Sequence, residues 1–396
     1  MSIRSNYQHT IYACYTGCIA QAIVNNFAPL LFLTFQSSFG LSLDRLSLLV
    51  TLNFGVQLLV DLLSAKFVDK IGYRPCMIAA HVLAAAGLAG LAIFPAILPS
   101  AYAGLIAAIV LYAIGGGLLE VLVSPIVEAC PTEGKEAAMS LLHSFYCWGH
   151  VFVVLVSTAF FALFGTANWR VMACIWAIVP ALNAVYFTKV PINTLSSGDG
   201  EAGMSMGALA KSGIFWLLML LMVCAGASEQ AMSQWASAFA EAGLGVSKTM
   251  GDLLGPCMFA IMMGLSRLLY SKLADKLPLV PAMSACGALC IISYLLAGLS
   301  QSPVLGLIGC GLCGFSVGIM WPGTFSTGVK VLPAGGTAMF ALMALAGDLG
   351  CSGGPTLVGF VSGAAGDNLR MGFLAALVFP VLLILSINLT CKKIKG

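Results

Sequence analysis

Long apolar runs alternate with short polar breaks along the chain, and the pattern predicts twelve transmembrane helices, over 10–36, 43–65, 75–97, 101–129, 137–165, 168–189, 213–240, 249–273, 279–300, 303–328, 337–364 and 369–390. Each run reaches the ~20 residues that a helix needs to cross a hydrocarbon layer of about 30 Å. Six runs precede and six follow the break PINTLSSGDGEAGMSMGALAKSG at 191–213, whose Ser and Gly content reads as a flexible linker. The expected organisation is an all-α membrane protein with an N-terminal six-helix bundle over 1–190, a cytoplasmic linker over 191–212 and a C-terminal six-helix bundle over 213–396.

Composition agrees with a lipid environment. Of 396 residues, 60% are hydrophobic and 8% charged, whereas a soluble chain carries about 25% charge. A net charge of +3 without a basic run, apart from the tail Lys392, Lys393 and Lys395, gives no footprint for nucleic acid. The tail reads as a membrane-surface anchor. The fourteen Cys lie mostly inside apolar runs, with neither a disulfide framework nor a zinc cluster. Cys310 and Cys313 form a C-x-x-C, but inside the apolar run GLIGCGLCGFSVGIM, where small residues serve helix packing. The N-terminus lacks a cleavage pattern, so the first run is expected to remain in the mature protein.

Basic residues set an expected orientation, because translocated loops avoid them. With the N-terminus in the cytoplasm, thirteen Lys and Arg fall inside and four, Arg45, Arg170, Lys248 and Arg370, outside. Both termini are then cytoplasmic. An internal repeat supports two related halves: Asp61, Lys66, Asp69 and Lys70 match Arg267, Lys272, Asp275 and Lys276, each 206 residues on. Gly117 and Pro125 match Gly314 and Pro322 at an offset of 197, and Ala138-Met139 matches Ala338-Met339 at 200. Two related halves imply rocking of one against the other around a site near the midplane.

The segment AKFVDKIGYR, Ala65 to Arg74, resembles the loop signature of the major facilitator superfamily, with Asp69, Lys70, Gly72 and Arg74 in place and Ala65 where the signature has its first Gly. The resemblance implies a cytoplasmic gate that stabilises an outward-open state. Asp61, Asp69, Lys70, Arg74, Arg267 and Asp275 are the expected gate residues. GGGLLEVLVSP (Gly115 to Pro125) and SLLHSFYCWG (Ser140 to Gly149), with GASEQAMSQW in the seventh run, resemble the fucose permease-like branch of sugar:proton symporters. Glu120, Pro125, Phe145 and Gly149 match that pattern; Ser124 and His143 depart from it, and the acid of its first helix is absent, with Asn25 and Asn26 the nearest polar residues. The fourth run has no Arg and the fifth no antiporter motif of the kind multidrug antiporters carry. The nearest echo is GDLGCSGGP at 347–355.

Ionisable groups within the hydrocarbon zone cost several kcal/mol and mark pathways. Glu120, His143, Glu229 and Asp348 are therefore candidates for proton coupling. Glu120 and His143 sit roughly 15 and 10 Å from the cytoplasmic end at 1.5 Å per residue, close enough for a proton to pass if their faces agree. His150 lies beside them on the fifth run, and His81, without polar neighbours in its run, reads as structural. The seventh run carries Glu229 with Ser233, and Gln230 with Gln234, each at helical i,i+4 spacing. Amides that donate and accept, beside an aromatic plate, suit a polyhydroxylated solute. The expected substrate-binding set is Asn25, Asn26, Glu120, His143, Trp148, Glu229, Gln230, Gln234, Trp235 and Trp321.

These features predict a monomeric, multi-pass transporter of the cell membrane, in contact with lipid and with a small-molecule solute. It needs no metal or cofactor other than a coupling ion, read as H+. The leading expectation is import of a small polar solute, a sugar above all, by proton symport. Proton-coupled export of a drug or metabolite, or sodium coupling, is the alternative. A membrane receptor or enzyme is the least supported reading, because the sequence shows no metal-ligand cluster, nucleophile motif, nucleotide loop or soluble domain.

Overall fold

The computed structural model describes residues 3–131, 135–193, 204, 206–273, 277–332 and 335–395. The side chains of Asp69, Lys70 and His143, and Asp275 entirely, lie outside the described set. Among the described residues every regular element is helical. In chain order the α-helices are α1 (Tyr7–Asn26), α2 (Phe32–Phe39), α3 (Leu43–Ile71), α4 (Tyr73–Ile97), α5 (Ala101–Ala129), α6 (Lys135–Phe164), α7 (Trp169–Phe187), α8 (Met206–Ala210), α9 (Gly213–Ser233), α10 (Ala236–Ala238), α11 (Lys248–Asp252), α12 (Met258–Leu273), α13 (Leu279–Leu299), α14 (Pro303–Val317), α15 (Met320–Val331), α16 (Gly336–Ala364), α17 (Leu369–Ala376) and α18 (Val378–Lys395). Eleven stretches of the described chain are long and apolar enough to cross a membrane. The remaining predicted run, 337–364, is the 29-residue helix α16, whose apolar pattern is diluted by glycines and Asp348.

Seven of the twelve predicted runs form single helices, most within two residues of the expected ends, whereas five are interrupted. Proline accounts for four of the interruptions, because it cannot donate to the carbonyl four residues earlier. Pro29 frees the Asn25 carbonyl, and a 3₁₀ turn over Ala28–Leu31 separates α1 from α2. Pro322 frees the Gly318 carbonyl at the break between α14 and α15, where Arg267 Nε donates to it at 3.1 Å. Pro380 stands four residues beyond Ala376, the last residue of α17. Pro256 lies in a π-turn, Leu253–Cys257, between α11 and α12. The seventh run also breaks, after Ser233, and continues through α10 into a second π-turn over Phe239–Gly243.

The signature at 65–74 is helical up to Ile71, so it occupies the last turns of α3 where a loop was expected. Only Gly72 intervenes before α4, and its φ of +93° is one that an L side chain rarely adopts.

The chain divides into two compact units, Met1–Leu41 with Leu52–Asp199, and Ser42–Thr51 with Gly200–Gly396. In the first unit α1 packs on α5, α6 and α7, and α4 lies against α5 and α7. The start of the expected linker is fastened there: Thr10 Oγ1 donates to Pro191 O at 2.5 Å, Tyr7 Oη to Asn193 Oδ1 at 2.6 Å, and Val190 is wholly buried. In the second unit α9 packs on α16 and α18, and α12 on α14. The α9–α16 contact depends on small residues: a Cβ at Gly350 would overlap the Val223 carbonyl, and one at Gly354 the Ala227 carbonyl. Gly350 and Gly354 of the 347–355 segment are therefore packing residues of α16, whereas a Cβ at Gly353 would meet open space. The matched glycines of the repeat play matched parts. Gly117 meets the backbone of Gln57 on α3, and Gly314 the backbone of Phe259 on α12.

Candidate functional site

Within the first unit, four-residue spacing on two helices builds a polar cluster. Gln21 and Asn25 share a face of α1, and Asn53, Gln57 and Asp61 share a face of α3. Asn25 Oδ1 accepts from Gln57 Nε2 at 2.8 Å and from Asn53 Nδ2 at 3.1 Å, and Asn25 Nδ2 donates to Tyr146 Oη on α6 at 3.4 Å. Asn26 Nδ2 donates to Ala22 O at 2.9 Å and reaches Tyr146 Oη at 3.5 Å. The glycines of α5 let the helix approach: a Cβ at Gly116 would stand 3.3 Å from Gln57 Oε1.

Glu120, four residues further along α5, accepts from Gln21 Nε2 at 2.7 Å. Asp61 acts on it electrostatically. Its hydrogen-bond donor here is thus a neutral amide, and the nearby charge is a second carboxylate. Asn53 Oδ1 and Gln57 Oε1 are buried and meet no donor among the described residues. Two such acceptors are costly unless a donor reaches them.

The second unit carries a different arrangement. Glu229 on α9 faces Arg267 on α12, with Oε2 and Nη2 3.9 Å apart. Gln230 Nε2 donates to Glu229 Oε1 at 3.2 Å, and Gln234 Nε2 to Gln230 Oε1 at 3.0 Å. Arg267 therefore links α9, α12 and the proline break at Gly318. Arg267 and Asp61, both expected at a gate, each stand beside a carboxylate expected to couple protons.

The remaining candidates are dispersed. Trp235 has no exposed surface, and its Nε1 donates to Pro355 O at 3.0 Å, which places the ring inside the second unit. Trp321 lies over Gly347, with Phe325 edge-on at 6.4 Å. Asp348 is buried on α16, and Trp148 is 48% exposed on α6. Arg74 donates to Phe187 O, at the end of α7, at 2.7 Å. His81 does have a polar neighbour: Nδ1 meets Met77 O, Nε2 meets Asn183 Nδ2 at 2.7 Å, and Asn183 also donates to Ala13 O. That network ties α1, α4 and α7 together and gives His81 a structural part. A cavity of about 340 Å³ between α12 and α14 is lined by Leu254, Met258, Val304, Leu312 and similar groups, an almost wholly apolar wall that does not suit a polar solute.

Gln21, Asn53, Gln57 and Tyr146 were missed by sequence reasoning. The signal was the repeat of polar residues every four positions in two runs that are otherwise apolar. Among the described residues no group of three or more metal-ligating side chains is present.

A helical protein of two compact units, with polar side chains gathered inside each, belongs to the class of polytopic membrane transporters. The Major Facilitator Superfamily profile matches residues 13–355, and the chain belongs to that family. Solved structures agree on the fold. A D-xylose-proton symporter is 12% identical with a TM-score of 0.76, covering 96% of this chain and 97% of its own. The E. coli fucose:proton symporter (an N162A variant) is 18% identical at a TM-score of 0.63, over 96% and 98%. A bacterial homologue of the human lysosomal transporter Spinster is 16% identical at 0.78, over 98% of both chains. No curated protein matches significantly. Membership places the chain among multi-pass membrane transporters of small-molecule solutes, not among enzymes.

Proposed function

We propose that the protein imports a small neutral polyhydroxylated solute, a sugar by preference, through proton symport and alternating access across the cell membrane. What supports this reading is the cluster of the first unit, where Glu120 is hydrogen-bonded by the neutral amide of Gln21 and Asp61 acts on it electrostatically. A carboxylate held by a cation keeps its charge, whereas one held by an amide beside a second acid can gain and lose a proton. Glu229 has Arg267 opposite it at 3.9 Å, whereas Glu120 has a neutral donor instead and is the group that titrates in this reading.

The amides give the solute its contacts. Asn53 Oδ1 and Gln57 Oε1 are acceptors that hydroxyl donors satisfy, and Tyr146 Oη both donates and accepts. Both sugar:proton symporters among the similar structures carry this chemistry in their names, and that likeness favours the substrate class.

The test is uptake into proteoliposomes of a panel of labelled pentoses and hexoses, with and without an inward proton gradient. Gradient-stimulated accumulation of a member of the panel is expected. Accumulation that followed a sodium gradient alone, or no accumulation of any neutral sugar, would overturn the reading.

A further inference from the structure

A second titratable cluster lies in the hairpin that joins α10 to α12. Lys248 Nζ donates to Asp252 Oδ1 at 2.7 Å and to Ser237 Oγ at 3.0 Å, and the Ser237 hydroxyl donates to the same Asp252 oxygen. Asp252 has no exposed surface, and the Lys248 side chain is 18% exposed. Glu241, in the π-turn Phe239–Gly243, lies within electrostatic reach of both. Its Oε2 is buried and meets no hydrogen-bond donor among the described residues.

The hairpin is closely built. Val246 N donates to Ala240 O at 3.3 Å and Gly245 N to Glu241 O at 3.1 Å. Arg370 of α17 donates to Gly243 O at 3.2 Å and to Ser300 O at 2.6 Å. A Cβ at Gly255 would stand 2.8 Å from Ala236 O, so the π-turn Leu253–Cys257 approaches α10 backbone to backbone. Arg370 thus addresses carbonyls, and among the described residues Lys248 is the cation seen bonded to the cluster.

The charges do not balance if both acids are ionised. One ammonium then serves two carboxylates, and the half-buried Glu241 keeps its Oε2 out of water with no donor among the described residues, so its ionised form costs more than its neutral carboxyl. We propose that Glu241 is a proton-binding site, and that the proton it takes from the aqueous phase holds the α10–α11 hairpin in its closed form. Loss of the proton sets Glu241 against Asp252 for the single ammonium and loosens the π-turn. The inference is independent of the solute and of Glu120.

The measurement is hydrogen exchange of the full chain in lipid nanodiscs from pH 5 to 9, read as protection factors for residues 236–252 after correction for intrinsic exchange. In the native chain protection should be highest at low pH, fall by up to about tenfold per pH unit once Glu241 ionises in the opened hairpin, and level off above the transition where it ionises in the closed one, the pattern for one linked proton. Glu241→Gln should stay protected throughout. Lys248→Met removes the attraction that favours the ionised acid and should move the transition to higher pH. Asp252→Asn removes the repulsion and should move it to lower pH. Protection that is flat with pH in the native chain, the same fall in Glu241→Gln, or shifts of the last two variants in one direction would each overturn the proposal.

Discussion

Gln57 occupies the centre of the first unit's cluster: its Nε2 holds Asn25 at 2.8 Å, and its own buried Oε1 has no donor among the described residues. Replacing it by Leu should weaken solute binding by about 1–3 kcal/mol, the cost of a buried hydrogen bond left unmade. Titration calorimetry with the sugar identified by uptake checks this, and an unchanged affinity would make the cluster scaffold. Trp235 should behave in the opposite way. Trp235→Phe leaves the Pro355 carbonyl without its indole donor, so about 1–3 kcal/mol of stability should be lost while affinity holds. Thermal unfolding in detergent, read beside calorimetry, separates the two. Glu120 and Asn25 were legible as polar residues in apolar runs. Gln57, on another such run, was passed over, because the contacts that gather it with Asn25 come from helices far apart in sequence.

At the scale of elements, hydropathy located the runs well and their interruptions poorly. A lost i to i−4 hydrogen bond leaves no mark on hydropathy, although Pro29, Pro322 and Pro380 were in view. The freed carbonyl matters most at Gly318, because Arg267 occupies it while also facing Glu229. Removing one partner of a buried ion pair strands the other charge, at about 3–5 kcal/mol when both are fully buried. Arg267 is 31% exposed and its partner 3.9 Å away, so the loss should be smaller here. Arg267→Met should lower the midpoint of thermal unfolding, and the double variant with Glu229→Gln should recover part of it. A double variant no more stable than Arg267→Met alone would mean that the Gly318 contact, not the ion pair, carries the effect.

At the scale of the whole molecule, the repeat at offsets of 206 and 197 residues was legible and corresponds to structure, since Gly117 and Gly314 meet matched helices of their own units. The chemistry of the two units was less legible. Their related backbones hold unlike groups, an amide-bound carboxyl in one and a carboxyl facing a guanidinium in the other, and a repeat search reads only what the halves share. The signature at the end of α3 is expected to set the balance of conformers without touching the solute. Asp69→Asn should therefore slow uptake while leaving equilibrium affinity nearly intact. The assignment of Glu120 as the coupling group is tested most directly by Glu120→Gln, which imitates the protonated acid permanently. In the same vesicles, exchange of labelled for unlabelled sugar should persist and accumulation driven by a proton gradient should vanish. A variant that still concentrated sugar against its gradient would contradict the account.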